Sequence, residues 1–461
     1  MAEIDCEQEW PILAEPVRPT APLPFFQYVR TVRENALAGF HDDLYRQRIA
    51  ETKFWRLRTF IVNDPAGIRH VLVDNAANYI KGNIEHRISR WPEKGFAAED
   101  GKKWRQRRQT MSSSFDHRTM PGNLSVVVEA AQEVLERWSA LPPGEVIEVS
   151  AEMSRMALEV ISRIVFSSDS AEFVGIMERA SMRYQEERIF DPFDFAPVLG
   201  RLWGFYKGRK RGRIFKELNN AIDGLMAKRV RERRYAENDF LGRLMATKDP
   251  QAGRGLSVDE VHSQVTTLLG TGYDTVSSAL MWTWYLLAEH PPQEARLHRE
   301  LEQVLAGRTP APEDLAKLPY TRMVIAEALR LYPPVHTMAW RGALEDDEIC
   351  GVRIPKGATV TIIPWVLHRH AELWDAPQRF DPERFSPDRS RGRSPFAYLP
   401  FGIGPRVCIG ASFVMTEVML MLAALAQRYR LRLAPGQKIE PQGFVQLKAR
   451  YGLKATLESW G

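Results

Sequence analysis

One cysteine in this chain is surrounded by the residue types that activate a thiolate. Phe401, Gly404, Arg406, Cys408 and Gly410 form F-x-x-G-x-R-x-C-x-G within the stretch YLPFGIGPRVCIG, from Tyr398 to Gly410. The ligating form of cysteine is the thiolate, held ionised by nearby positive charge or by backbone N–H groups. The apolar run from Ala411 to Leu425 reads as a helix whose N-terminus would aim its N–H groups at the sulfur and lower its pKa. Gly402 and Gly404 tolerate φ > 0, so the chain can loop tightly here. A thiolate shielded in this way suits haem iron beneath a flat macrocycle, with the fixed charge of Arg406 turned to a propionate. The plain alternative is a buried cysteine in a glycine-rich turn; five specified positions in ten weigh against it.

Three further constellations carry chemistry. Trp104 and Arg108 stand at i, i+4 in GKKWRQRRQTMSSSF, so an indole N–H and a guanidinium share one helix face, either as a carboxylate clamp or as ordinary packing. Asp274 and Thr275 place an acid beside an alcohol just after Gly270 and Gly272. Each glycine costs a helix interior about 1 kcal/mol against alanine, and a ligand lying against the backbone would account for that. Two readings stand for the pair: a proton relay to a bound oxygen molecule, or Thr275 bonded back to its own helix with Asp274 on the surface. Glu327 and Arg330, at i, i+3, form either a surface ion pair or part of a buried one. His336 is a metal ligand on paper only, since it has no companion set.

The elements that must position these residues are mostly helical. A proline-rich lead-in from Pro16 to Pro24 precedes a helix expected to run to about Ala50, then a strand pair in FWRLRTFIVNDP and a helix over PAGIRHVLVDN. Amphipathic helix dominates Pro121 to Asp249, broken by LPPGEVIEVS and by Phe190–Pro197. The longest helical pattern, Ser257 to Pro292, opens with a capping box of Ser257 and Glu260 and closes at a proline pair. LPYTRMVIAEALRLYPP is a helix; Val352–Ile354 and Thr359–Ile363 read as strands, as does the tail from Tyr429 to Trp460.

The chain has 461 residues, 44% hydrophobic and 26% charged, with no low-complexity divider, which predicts one large domain with ample core. The acidic start lacks an apolar leader, and no apolar run reaches spanning length, so neither signal peptide nor membrane span is expected and the location is cytoplasmic. Cys6, Cys350 and Cys408 make an odd count that fits a reducing compartment. The net charge of +5 includes basic runs from Lys207 and Lys228, read as solvated helix faces rather than as a nucleic-acid surface.

In order along the chain, W-x-x-x-R at Trp104, the acid–alcohol helix, E-x-x-R at Glu327 with FDPERF, and the cysteine loop resemble the cytochrome P450 family over residues 104–410. The resemblance implies a mainly α fold with a smaller β part, the β-rich lead-in occupying about 1–65 and the helical bulk with the haem site about 66–461. It implies haem b bound through Cys408, with Phe401 in the loop and Trp104, Arg108, Arg341 and Arg406 on the propionates. Thr275 and Asp274 would then deliver protons, and Thr271, Val335 and residues 84–96 would line a mostly apolar pocket, roofed by part of Pro121–Asp249. Glu327, Arg330 and Arg384 would form a buried triad holding the cysteine loop. The family pattern has a small residue where Thr271 stands, a departure that bears on the distal geometry. The implied reaction is insertion of one atom of dioxygen into an apolar organic substrate, by hydroxylation or oxidative dealkylation. The chain has no room for a fused flavin domain, so electrons would come from a ferredoxin or flavodoxin with its NAD(P)H-dependent reductase, received on the basic face of Lys102, Lys103, Arg105 and Arg107. Alternatives are a peroxide-driven or rearranging member of the family, and a non-catalytic haem sensor.

Overall fold

The computed structural model describes residues 10–54, 57–81, 99–112, 120–167, 170–185, 206, 209, 212–213, 215–232, 239–247, 255–444 and 446–460. The expected pocket lining at 84–96, the Phe190–Pro197 break, Cys6 and most of the basic run from Lys207 lie outside these.

Helix α1, Phe25–Glu34, is shorter than its sequence suggests. Asn35 turns extended and its side chain accepts the Leu37 N–H, which starts a tight 3-10 turn at Ala36–Gly39. A second turn, Asp42–Tyr45, leads to strand β1, Ile49–Phe54, so the stretch read as the end of a helix is partly strand. Its partner β2, Leu57–Val62, pairs from Ile49↔Val62 to Phe54↔Leu57. Asp64 then caps α2, Pro65–Arg69, by accepting from Ala66 and Gly67. A widened turn to Asp74 follows, and then β3, Tyr79–Lys81.

Helices α3 (Gly101–Ser112), α4 (Met120–Ser139), α5 (Val149–Phe166, after strand β4, Val146–Glu148), α6 (Ser170–Gln185), α7 (Lys216–Arg231) and α8 (Phe240–Ala246) build the helical layer. Through its centre runs α9, Val258–Glu289, opened by the expected Ser257–Glu260 capping box. Gly272 is explained by close packing: a Cβ there would sit 3.0 Å from Ile161 on α5. The small residue thus admits a neighbouring helix, where a ligand had been the sequence-based reason. The run from Lys228 also differs from a fully solvated face. Arg229 is 0% exposed and donates twice to Asp239, at 2.8 and 2.7 Å, while Asp239 caps α8.

Helices α10 (Pro291–Leu305) and α11 (Pro319–Leu331) lead to strands β5 (Ala339–Ala343), β6 (Asp347–Ile349), β7 (Val352–Ile354) and β8 (Thr359–Ile362). The larger sheet has the order β1-β2-β8-β5-β3, with β2 and β8 parallel. It therefore joins residues 49–81 to 339–362. After α12, Ala411–Ala426, the tail forms β9 (Tyr429–Leu433), β10 (Pro441–Gly443), β11 (Leu447–Ala449) and β12 (Lys454–Ser459). One apolar core is shared by α4, α5, α9, α11 and α12, and a second lies beneath the larger sheet. Among the described residues, no helix is long and apolar enough to cross a membrane.

Candidate active site

The cysteine loop is shaped by two glycines with positive φ, Gly402 at 72° and Gly404 at 77°. A Cβ on Gly404 would overlap the carbonyl oxygen of Leu72, so only glycine fits this approach to the turn after α2. The Cys408 N–H returns to Phe401 O at 2.8 Å, and Val407 N–H to Gly404 O at 3.1 Å, which closes the loop under its own sulfur. Helix α12 starts three residues later with Gly410 as its cap and no side-chain acceptor for its first N–H groups.

Cys408 is exposed, yet the protein around it desolvates the thiol. Burial pushes the thiol up, and the Gly410 N–H and the Arg108 charge only partly offset it. The expected lowering by the helix terminus is therefore present but outweighed. A cation bonded to sulfur would supply the missing stabilisation. Among the described residues, no group of three or more His, Cys, Asp or Glu could hold a bare metal ion.

Helix α9 shows an opening in a largely buried stretch. Leu268, Gly270, Thr271, Gly272, Asp274 and Thr275 are exposed or half-exposed, whereas Val265, Leu269, Tyr273 and Val276 are buried. The open positions cover about half of the helix circumference over two turns. Thr275 donates to Thr271 O at 3.0 Å and Thr271 to Thr267 O at 2.8 Å, the back-bonded alternative. Each hydroxyl keeps lone pairs to accept from a ligand. Asp274 is not a free surface acid; its Oδ1 lies 2.9 Å from Lys448 Nζ.

Around Arg406, Trp104 is buried and the Arg406 guanidinium lies 4.2 Å from its ring centroid. Arg406, expected on a propionate, is paired here with Asp100 and donates to Glu99 O at 3.0 Å. Asp100 also accepts the Lys81 N–H at 3.0 Å. Lys81 pairs across β3–β5 with Arg341, itself only 7% exposed. Arg108 is half-buried, its pKa lowered by desolvation and supported by Cys408. Lys102, Lys103 and Arg105 are exposed, but Arg107, expected to face outward with them, reaches Glu99 at 3.1 Å.

Glu327 and Arg330 are both fully buried and doubly bonded, at 2.7 Å each, and Arg384 approaches Glu327 at 3.3 Å. Asp381 N–H adds a further bond to Glu327, while Arg330 donates to the carbonyls of His368, Pro377 and Arg379. His368 is a connector that sequence reasoning passed over. Its Nε2 accepts the Leu399 N–H at 2.9 Å and its Nδ1 lies 3.3 Å from Arg330 O, so it bolts the start of the cysteine loop to α11. Tyr398 OH donates to Ala326 O beside it. The HRH at 368–370 was the visible signal.

Val335 is half-buried at the end of the turn after α11. His336, the paper ligand, has both nitrogens engaged, with Phe444 O at 2.8 Å and the Thr337 hydroxyl at 3.0 Å; burial lowers its pKa to about 4 and keeps it neutral.

These features fit an iron porphyrin: one accessible sulfur, arginines from three segments, and an open stretch of helix. The comparisons agree. The cytochrome P450 family model matches residues 16–454. Cyclooctatin synthase of Streptomyces melanosporofaciens is 33% identical, covering 89% of this chain and 87% of its own length. Cyclooctat-9-en-7-ol 5-monooxygenase of the same organism is 31% identical over 86% and 84%. The crystal structure of the cytochrome P450DA heme domain superposes with a TM-score of 0.79 at 22% identity, covering 97% and 98%. The match runs over nearly the whole chain and is not a local coincidence: the chain belongs to the cytochrome P450 family and is a haem-dependent monooxygenase.

Proposed function

We propose that the chain works as one catalytic unit that hydroxylates or oxidatively dealkylates an apolar small molecule, with haem b held by Cys408. The observation that carries this reading is the accessible Cys408 sulfur, desolvated by the protein around it, with the Arg108 charge beside it. Haem, when bound, supplies the redox and oxygen-transfer chemistry. Arg108, Arg341, Arg406 and the Trp104 indole would hold its propionates, Arg406 exchanging Asp100 for a propionate oxygen. Phe401 holds the loop through its carbonyl, which accepts the Cys408 N–H.

On the other face, the hydroxyl of Thr275 accepts or donates a hydrogen bond at its Oγ1, and the Asp274 carboxylate exchanges protons with water. Thr271, exposed on the open stretch, and Val335 line the substrate side. The relative named for cyclooctat-9-en-7-ol points to a substrate with a large hydrocarbon skeleton and few polar groups. Electrons come from a cytoplasmic ferredoxin or flavodoxin and its NAD(P)H-dependent reductase, docked on Lys102, Lys103 and Arg105.

The test is oxygen consumption by the haem-loaded protein with a surrogate ferredoxin, its reductase and NADPH. Asp274→Asn and Thr275→Ala are expected to slow it by roughly 10- to 100-fold, the range of a lost acid–base group. Equal rates in the variants, with peroxide alone sustaining turnover, would favour a peroxide-driven member of the family.

A further inference from the structure

The turn that seats the cysteine loop is itself held from behind by one carboxylate. Asp347, at the start of β6, gathers three side chains of a single segment on its Oδ2: His70 Nε2 lies 2.8 Å away, Asn75 Nδ2 donates at 3.0 Å and the Tyr79 hydroxyl at 2.7 Å. Its Oδ1 accepts the Glu348 N–H at 2.8 Å. His70 is the first residue of the widened turn after α2 and Asn75 the residue just past its end; the Asn75 N–H already donates to His70 O at 2.8 Å, and Tyr79 opens β3. Two residues further along β6, Ile349 is buried against α2, where a Cβ on Gly67 would come within 2.8 Å of it. The strand therefore backs both the helix and the turn that follows it.

The other side of that turn meets the loop of Cys408. The Leu72 carbonyl and the Val73 side chain lie against Gly404, and Leu72 shares the apolar core beneath the larger sheet with Leu399, against which Ile403 also packs. Gly404 O in turn accepts the Val407 N–H at 3.1 Å, the Cys408 N–H returns to Phe401 O, and the Gly410 N–H is bonded to the sulfur. A shift of Gly404 is thus passed along the loop to the sulfur and its donor. The anchor behind the turn is firm. Burial of the Asp347 carboxyl, 15% exposed, works against its charge, yet the bonds from Tyr79, His70, the Glu348 N–H and Asn75 outweigh burial and pull the pKa from 3.8 to about 2. Hydrogen bonds to an ionised oxygen are about twice as strong as neutral ones, so the three donors stay gathered.

We propose that Asp347 is a positioning residue for the thiolate: by fixing the turn at His70–Asp74 it fixes Gly404 and, through the loop, the backbone N–H that the sulfur accepts. This rests on the reading of Cys408 as the ligand of the iron. An N–H donated to a thiolate draws electron density from the sulfur, which raises the reduction potential of the iron it binds and makes the sulfur harder to protonate. None of the Asp347 hydrogen bonds reaches the loop, so its influence runs through the turn.

The haem-loaded protein tests this with Asp347→Ala, Asp347→Asn and Tyr79→Phe, beside Asp314→Asn as a control. Asp314 is a carboxylate that likewise gathers donors, but they are Arg308, at 2.6 Å, and the Ala311 N–H, at 2.9 Å. Two readouts apply: the reduction potential of the iron, and the rate at which the carbon monoxide complex passes from its long-wavelength to its short-wavelength band in mild guanidinium. Asp347→Ala is expected to move the potential negative and to speed the conversion roughly five- to tenfold, the weight of one hydrogen bond. Asp347→Asn, which keeps the shape and one acceptor oxygen, and Tyr79→Phe, which removes one donor, move both readouts the same way by less. Asp314→Asn loses stability and leaves both at wild-type values. The proposal is overturned if Asp347→Ala matches wild type in either readout, or if Asp314→Asn moves them as far as Asp347→Ala does, since the effect would then be general loosening. Should Asp347→Ala fail to take up haem, Asp347→Asn and Tyr79→Phe decide, and wild-type values in both overturn it. A wild type without a long-wavelength band defeats the thiolate reading and the proposal with it, whereas a normal wild-type band beside a silent Asp347→Ala defeats the positioning role alone.

Discussion

His368 joins the buried ion cluster to the cysteine loop, and its titration should be readable as acid instability. The ring is fully buried and neutral, with a pKa lowered to about 3, first by desolvation and then by the Arg330 charge. In the unfolded chain it takes a proton near the ordinary value of 6.5. Between those values the unfolded state binds the extra proton, so stability is fully present above about pH 6.5 and falls as pH drops. From pH 7.5 to pH 5 this one group accounts for about 2 kcal/mol, a large share of a typical stability of about 5–15 kcal/mol. His336 and His298, each lowered to about 4, add to the same slope. Only His368 accepts the buried Leu399 N–H that begins the loop. Glutamine supplies an acceptor at the same reach without titrating; phenylalanine leaves the Leu399 N–H unpaired, at about 1–3 kcal/mol. Guanidinium unfolding of the haem-loaded protein at pH 7.5 and pH 5, followed by fluorescence and by the haem band, measures this. His368→Gln should keep most of the stability at pH 7.5 and lose about 2 kcal/mol less than wild type on going to pH 5. His368→Phe should be destabilised at both. Equal pH dependence in wild type and His368→Gln would refute the reasoning.

Other outcomes follow from the same geometry. Gly404→Ala forces a Cβ into the Leu72 carbonyl at a φ of 77°, so the variant should fold while retaining little haem, read as the ratio of haem to protein absorbance. Glu327→Gln leaves two buried guanidiniums without their countercharge and should cost about 3–5 kcal/mol in denaturant unfolding, with haem loss preceding loss of helix signal. Glu417, two turns into α12, has its pKa pushed from 4.5 to about 8 by burial. The folded state holds that proton while the unfolded chain releases it, so stability declines from about pH 4.5 to pH 8, by about 3 kcal/mol at pH 7. Glu417→Gln should flatten that decline, and an unchanged profile would show that the carboxyl is not neutral.

Much of the fold was legible because its signals are local. The capping box at Ser257, the glycine pair before Cys408 and the i, i+3 spacing of Glu327 and Arg330 each act within a turn or two of chain. Local chemistry also carried the unread part of α1: the Asn35 side chain ends the helix, although the residues that follow look helix-compatible. Contacts between distant segments were hidden. The partner of Arg406 is 306 residues away, and the hold of Lys448 on Asp274 depends on how the last strands dock on α9. Gly272 shows the limit from the other side, since spacing reveals that a small residue is needed but not whether a helix or a ligand lies against it. The thiol likewise has the expected backbone N–H beside it, and the Arg108 charge as well, and burial still outweighs both because desolvation depends on the whole surrounding volume.

The central claim is that Cys408 is the thiolate ligand of haem iron. The carbon monoxide difference spectrum of the dithionite-reduced protein tests it most directly. A Soret band at the long wavelength characteristic of thiolate ligation, lost in Cys408→Ser, is the predicted result. A short-wavelength band in the wild type would mean a neutral thiol or another ligand at the iron, and the absence of any haem band would contradict the account outright.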